Sequence, residues 1–276
     1  MSNYSSIEIK IDPTQNDEMT AWLSQLAFES FFEDEDKLIG YYQPATLSKK
    51  EIEEVLDSLK LIYTFTHAYK EVEDKNWNEE WEQNFQPVII ADQINIRAEF
   101  HPKVEGITYD IIINPKMAFG TAHHETTYMM MERMLGMEWK NKKVLDYGCG
   151  TSILAILADK LGCADLTAID YDIHSVTNSE ENCKLNNTKE IKIIHGEIDA
   201  ITDNGYDVVL ANINRNVLLL FVAEIRERMK KDGVLMMSGI LETDKELIID
   251  TYTKEHFALV DVEQKGEWLC IEFKAK

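Results

Sequence analysis

The period of the apolar positions changes several times along this chain, and each change marks an element. Tyr4 to Ile11 alternates as a strand, while Glu18 to Phe28 sets Met19, Trp22, Leu23 and Leu26 on one helical face. Phe31 to Glu33 and Leu38 to Tyr42 read as a hairpin around the acidic turn Asp34-Glu35-Asp36. Ser48-Lys-Lys-Glu51 is a capping box that opens a helix to Leu59, and Ile62 to Val72 returns to a strand. The resulting β-α-β-β-α-β order predicts a small ferredoxin-like α+β domain over residues 1–72. In 73–86, Trp77, Trp81 and Phe85 fall at i, i+4 and i+8, which predicts a linker helix closed by Pro87.

From residue 87 to 276 the pattern becomes that of an α/β domain. Val88 to Ala91, Ile94 to Phe100 and Ile107 to Ile113 read as strands, and Met129, Met130, Met131 and Leu135 lie on a helix after them. Strands at Val144, up to Asp170, at Ile191 to His195 and at Tyr206 to Ala211 then alternate with helices at Ile153 to Leu161 and His174 to Leu185. A helix from Val217 to Met229, a strand Val234 to Ser238, a helix Glu242 to Tyr252 and two closing strands around Gly266 complete the chain. Such alternation predicts a doubly wound, Rossmann-like sheet.

Chemistry concentrates where these elements end. Asp146-Tyr-Gly-Cys-Gly150 follows a buried strand and opens a helix, so Gly148 and Gly150 free the backbone to turn closely under a ligand. Asp170, about 20 residues on, ends the neighbouring strand and is placed to accept both hydroxyls of a ribose. A pyrophosphate-binding loop would need glycine at 153, where Ile153 stands, so a ribose-bearing ligand without phosphate fits better than a dinucleotide. Asn212-Ile-Asn214 directly follows another strand, where open α/β sheets place their ligands; a turn-forming asparagine is the alternative. Thr126 and Thr127 stand at a helix start and offer hydroxyls toward the same place. His123 and His124 are adjacent, point in different directions and make a poor metal pair, so no metal is expected.

Composition narrows the partners. A formal net charge of −22 over 276 residues repels a phosphate backbone, so no stable binding to naked nucleic acid is expected; a basic partner is the natural complement, and acidity that only keeps the protein in solution is the alternative. Residues 1–72 hold more acidic than basic side chains and no arginine. The amino terminus lacks a basic region followed by an apolar run, and no stretch approaches a membrane span, so a cytoplasmic location is expected. Cys149, Cys163, Cys183 and Cys270 form no Cys-x-x-Cys pair and read as reduced, structural thiols.

The loop at Asp146 to Gly150, Asp170, Asn212-Ile-Asn214 and Phe119-Gly-Thr-Ala-His-His-Glu-Thr-Thr127 together resemble the PrmA family, which methylates large-subunit ribosomal protein eleven. The similarity runs over nearly the whole length and includes the Trp77 to Phe85 helix, Ser238-Gly-Ile240 and Glu267-Trp268. It implies a class I methyltransferase domain, S-adenosylmethionine as cofactor, and an amino-terminal domain that recognises the basic ribosomal protein. It further implies that Thr127, Gly148, Asp170 and Asn212 contact the cofactor, with Phe119, Gly120, Thr121 and Gly150 nearby. The chain departs from the family pattern at Ala122 and His123 and at Gly150-Thr-Ser152, where alanine and serine restrict backbone angles that glycine permits.

Methyl transfer to a lysine or α-amine needs a neutral nitrogen lone pair in line with the sulfonium methyl. Asn212, with the backbone carbonyls of Ile213 and Asn214, is the group expected to orient that amine. Two other readings use the same fold: a methyltransferase acting on a small molecule, and a nucleoside-binding protein without turnover.

Overall fold

Ser48 caps the second helix of the amino-terminal unit as a full capping box, its side chain accepting from Glu51 N–H while its own N–H donates to the Glu51 carboxylate at 2.9 Å. This computed structural model describes residues 5–12, 15–23, 26–34, 37–60, 62–71, 85–114 and 120–276. The chain divides into two compact units, Met1–Trp77 and Asn78–Lys276. Residues 73–84 of the expected linker helix, with Trp77 and Trp81, lie outside the described residues. So does Phe119 with the four residues before it. Phe85 is buried and not helical.

The first unit runs β1 (Ser5–Lys10), α1 (Asn16–Leu23), β2 (Phe28–Asp34), β3 (Lys37–Tyr42), α2 (Lys49–Leu59) and β4 (Thr66–Glu71). Its antiparallel sheet has the order β2-β3-β1-β4, the ferredoxin-like arrangement. Ile7 and Ile9 of β1 pack with Met19, Leu23, Ile52 and Leu56 of the helices into a core made entirely within this unit. The first helix is shorter than its apolar spacing predicts. Phe28 leaves it to start β2, where its ring meets Phe31 at 5.0 Å and Tyr42 at 5.7 Å between centroids, and cross-strand aromatic pairs favour the strand.

The second unit opens with a three-stranded sheet, β5 (Val88–Ile90), β6 (Ile94–Arg97) and β7 (Tyr109–Ile112), followed by α3 (Glu125–Met134). Then come β8 (Lys143–Tyr147), α4 (Ile153–Lys160), β9 (Asp165–Asp170), α5 (Ile173–Leu185), β10 (Lys192–His195) and β11 (Tyr206–Asn212). Helices α6 (Arg215–Leu220) and α7 (Val222–Arg228), strand β12 (Met229–Leu241), helix α8 (Lys245–Lys254) and strands β13 (Phe257–Lys265) and β14 (Trp268–Ala275) finish it. The main sheet has the order β10-β9-β8-β11-β12-β14-β13, parallel except where β14 pairs antiparallel with β12 and β13.

Both faces of this sheet are covered, so its strands are apolar at successive positions rather than alternately polar. Val144, Val208 and Leu210 point into one core with α3, α4 and the β5–β7 sheet; Leu145, Val209 and Ala211 point into the other with α6, α7 and α8. The single helix expected over 217–229 is two. At Phe221 the backbone leaves helical angles (φ −109°, ψ 21°), and Leu218 of α6 and Ile225 of α7 both pack into the second core. The strand order reverses between β8 and β11, each followed by a helix on an opposite face, so a crevice forms outside their carboxyl ends.

Candidate functional site

Three chain segments that sequence reading singled out leave that crevice from neighbouring strands: Gly148 follows β8, Asp170 ends β9 and Asn212 ends β11. The glycine loop is pinned to β9 at several points. The N–H groups of Gly148 and Cys149 both donate to the Ile169 carbonyl, at 2.9 and 3.0 Å. Gly150 N–H donates to one oxygen of Asp170 at 2.9 Å, and Asp172 N–H donates to the other at 3.0 Å. Asp170 is thus held by two backbone donors, and each oxygen keeps a further lone pair for a ligand hydroxyl.

Gly148 has φ +71°, and a Cβ built there would collide with the Ile213 side chain, so glycine is required both for the turn and for the approach of the β11 loop. Beneath the loop, the Asp146 carboxylate accepts Ala155 N–H of α4 at 3.1 Å. Burial pushes its pKa up to about 7; the hydrogen bond opposes that shift and the neighbouring Asp170 charge adds to it. Cys149 is also buried, which pushes its thiol up to about 12 and leaves no thiolate at neutral pH to act as a nucleophile.

The loop carbonyls are fixed from α5, a contribution that motif reading did not find. Ser179 Oγ donates to the Gly150 carbonyl at 2.9 Å and lies 2.6 Å from Ser152 Oγ. Asn182 donates to the Thr151 carbonyl at 3.1 Å and accepts Asn114 N–H at 2.8 Å; Asn186 accepts Ile112 N–H at 2.9 Å and donates to the Ile112 carbonyl at 2.6 Å. The signal was present as small polar residues at helical spacing, 178, 179, 182 and 186, where an apolar inner face is the norm. Ser179→Ala leaves the Gly150 carbonyl unpaired inside the protein, and chemical denaturation should show a loss of about 1–3 kcal/mol. Unchanged stability would mean that the carbonyl finds another donor.

The segment 120–127 reaches the same crevice. Thr151 Oγ donates to the Gly120 carbonyl, and Gly120 has φ +104°. Ala122 and Ser152, the two positions where the family pattern has glycine, adopt φ +62° and +60°, so the left-handed path is kept without glycine. His124 caps α3 by accepting Thr126 N–H, and its ring meets Trp268 edge-on at 4.8 Å. His123 instead contacts Thr121 Oγ at 3.1 Å and the Gln86 carbonyl at 2.9 Å, so the two imidazoles serve separate partners. Thr127 is buried, and its Oγ accepts from Asn212 Nδ2 at 2.9 Å.

That bond fixes the Asn212 side chain. With its amide nitrogen engaged, the side-chain carbonyl is the group left to accept, and among the described residues no donor reaches it. Asn212 lies beside Ser238 on β12, and Ile213 is wedged between Gly148 and Gly239, at each of which a Cβ would strike it. The crevice therefore presents a glycine cradle, a carboxylate at the second strand end and an amide carbonyl at the fourth. These are the groups that a nucleoside with a short polar tail would use.

The chain matches the protein family described as ribosomal protein L11 methyltransferase (PrmA) over residues 2–276. It is 41% identical over 263 residues to the ribosomal protein L11 methyltransferase of Bacteroides thetaiotaomicron, covering 94% of each chain. To that of Porphyromonas gingivalis it is 38% identical over 263 residues, covering 94% of this chain and 91% of the relative. Among solved structures, the ribosomal protein L11 methylase of Lactobacillus delbrueckii subsp. bulgaricus superposes with a TM-score of 0.65 at 27% identity, covering 70% of this chain and 100% of that one.

Proposed function

Because the chain belongs to the ribosomal protein L11 methyltransferase family, we propose that it transfers methyl groups to lysine side chains, and to the amino-terminal amine, of ribosomal protein L11. It is a protein methyltransferase of the class I fold and uses S-adenosylmethionine, which supplies an electrophilic methyl on a sulfonium. The residues of this chain bind and orient. Asp170 accepts the ribose hydroxyls, Gly148 and Gly150 let the backbone approach, and Gly120, Thr121, Thr127 and Asn212 close the other side. Asn212 Oδ1, with the carbonyls of Ile213 and Asn214, accepts hydrogen bonds from the incoming amine and aims its lone pair. No side chain is needed as an obligatory base, since water takes the proton.

The observation that carries this reading is the Thr127–Asn212 hydrogen bond, which turns an acceptor toward the crevice beside the glycine loop. The acidic amino-terminal unit supports recognition of a basic protein, and the same acidity argues against stable binding to naked nucleic acid. No helix among the described residues is long and apolar enough to cross a membrane, and we assign the enzyme to the cytoplasm, where ribosomal proteins are made.

The test is transfer of radiolabelled methyl from S-adenosylmethionine to purified ribosomal proteins, with mass spectrometry of the product. Methylated amines on L11 are expected. In parallel, Asp170→Ala should weaken cofactor binding by about 1.5–3 kcal/mol in calorimetry, the contribution of hydrogen bonds to a charged group. Cofactor binding with no methyl incorporated into any ribosomal protein would favour a nucleoside-binding protein, or a small-molecule methyltransferase, over this reading.

A further inference from the structure

A cavity of about 410 Å³ opens in the second unit where β7 meets the carboxyl ends of α4 and α5. The glycine loop lies at the other end of α4 and Asp170 precedes the other end of α5. At 1.5 Å per residue, the 8 residues of α4 and 13 of α5 put the cavity roughly 12 to 20 Å from the methyl-transfer crevice. Lys103, Thr108 and Asn187, all exposed, and the half-buried Lys160 line it. Neither ammonium makes an ion pair with a described residue.

In a chain with 50 acidic and 28 basic side chains, two lysines face one cavity; Asp110 acts electrostatically on both and Asp159 on Lys160, but neither carboxylate lies within ion-pair distance of them. Asp110 also lines the cavity, with its oxygens engaged by other partners. Arg97 Nε donates to both of its oxygens at 3.0 and 3.2 Å, Arg97 Nη2 reaches one at 2.9 Å, and Asn95 adds a bond at 2.8 Å. Lys160 sits in the last turn of α4, where the helix carbonyls favour a cation. Lys103 lies on the loop before β7 and serves no helix end. Burial lowers the Lys160 pKa, a cost that a bound anion would offset. Tyr109 and Leu185 complete the wall with apolar surface, and the volume far exceeds the roughly 30 Å³ that one water occupies in the liquid.

We propose that this cavity binds a small organic phosphate, its phosphate held by Lys103 and Lys160 and its organic body lying against Tyr109 and Leu185. Two cations match a dianion better than a single carboxylate, and the apolar wall distinguishes an organic phosphate from the free ion.

The test uses the full chain saturated with S-adenosylhomocysteine, so that the cofactor crevice is closed to the probe. Phenyl phosphate is titrated by calorimetry, with inorganic phosphate and phenol as separate arms. Phenyl phosphate should bind at least about tenfold more tightly than either, and raised salt should weaken it. Replacing both lysines by methionine should weaken it by a further tenfold or more, with the melting temperature confirming the fold; Lys103→Gln with Lys160→Gln replaces that pair if the methionines disturb folding. An affinity untouched by the double substitution, equal affinities for phenyl phosphate and inorganic phosphate, or no saturable binding would each overturn the proposal.

Discussion

Asn212→Ala is expected to lower the turnover number for L11 methylation about 100-fold, the scale of loss when a reacting group is misplaced by an ångström. The affinity for S-adenosylmethionine should change far less. The asymmetry follows from the geometry. In the proposed arrangement Asn212 is one of several cofactor contacts, and Asp170 and the glycine loop keep their own hydrogen bonds when it is truncated. Acceptor orientation in that arrangement, by contrast, rests chiefly on its side-chain carbonyl, held in place by Thr127, with the Ile213 and Asn214 carbonyls beside it. Thr127→Val tests the second link: the shape stays close to native but the oxygen that accepts from Asn212 is gone, so turnover should fall in the same direction and by less. Steady-state kinetics on L11 and calorimetry with the cofactor separate the two effects. Equal losses in turnover and in affinity would assign Asn212 to cofactor binding and leave amine orientation to the Ile213 and Asn214 carbonyls.

How far this site was legible depended on whether a residue acts through the backbone or through packing. Gly148, Asp170 and Asn212 stand at strand ends, and a strand end is visible in a sequence because the apolar run stops there. The ferredoxin-like order was visible for the same reason, helped by the Ser48–Glu51 capping box. The bond from Asn212 to Thr127 spans 85 residues and no local pattern encodes it. The polar face of α5 was missed because Ser179, Asn182 and Asn186 spend their hydrogen bonds on loop and strand carbonyls, so they are buried where periodicity leads one to expect apolar side chains. Ala122 and Ser152 read as obstacles, yet both take the left-handed conformation. The tie from Ser152 to Ser179, and the burial of Ala122 in the first core, show where the compensation for that conformation comes from.

A chain beginning at Asn78 is expected to bind S-adenosylmethionine almost as well as the full protein and to lose methylation of L11. Its folding is supported by the cores. Ile7, Ile9, Met19, Leu23, Ile52 and Leu56 pack among residues of the first unit, whereas among the described residues both cores of the second unit draw on residues from Val88 onward. Every proposed cofactor contact also lies beyond residue 118. What the shorter chain lacks is the acidic first unit proposed to hold a basic protein. A tethered binding module raises the effective concentration of its target at the active site, and removing one costs on the order of 100-fold or more without any change in chemistry. Salt gives an independent reading, since attraction between opposite charges is screened beyond about 10 Å at 0.1 M. Methylation by the full chain should therefore fall with ionic strength more steeply than cofactor affinity, while the residual activity of the short chain should depend on salt only weakly. If the short chain methylated L11 at the full rate, recognition would have to reside in the second unit, and the acidity of the first would need another explanation.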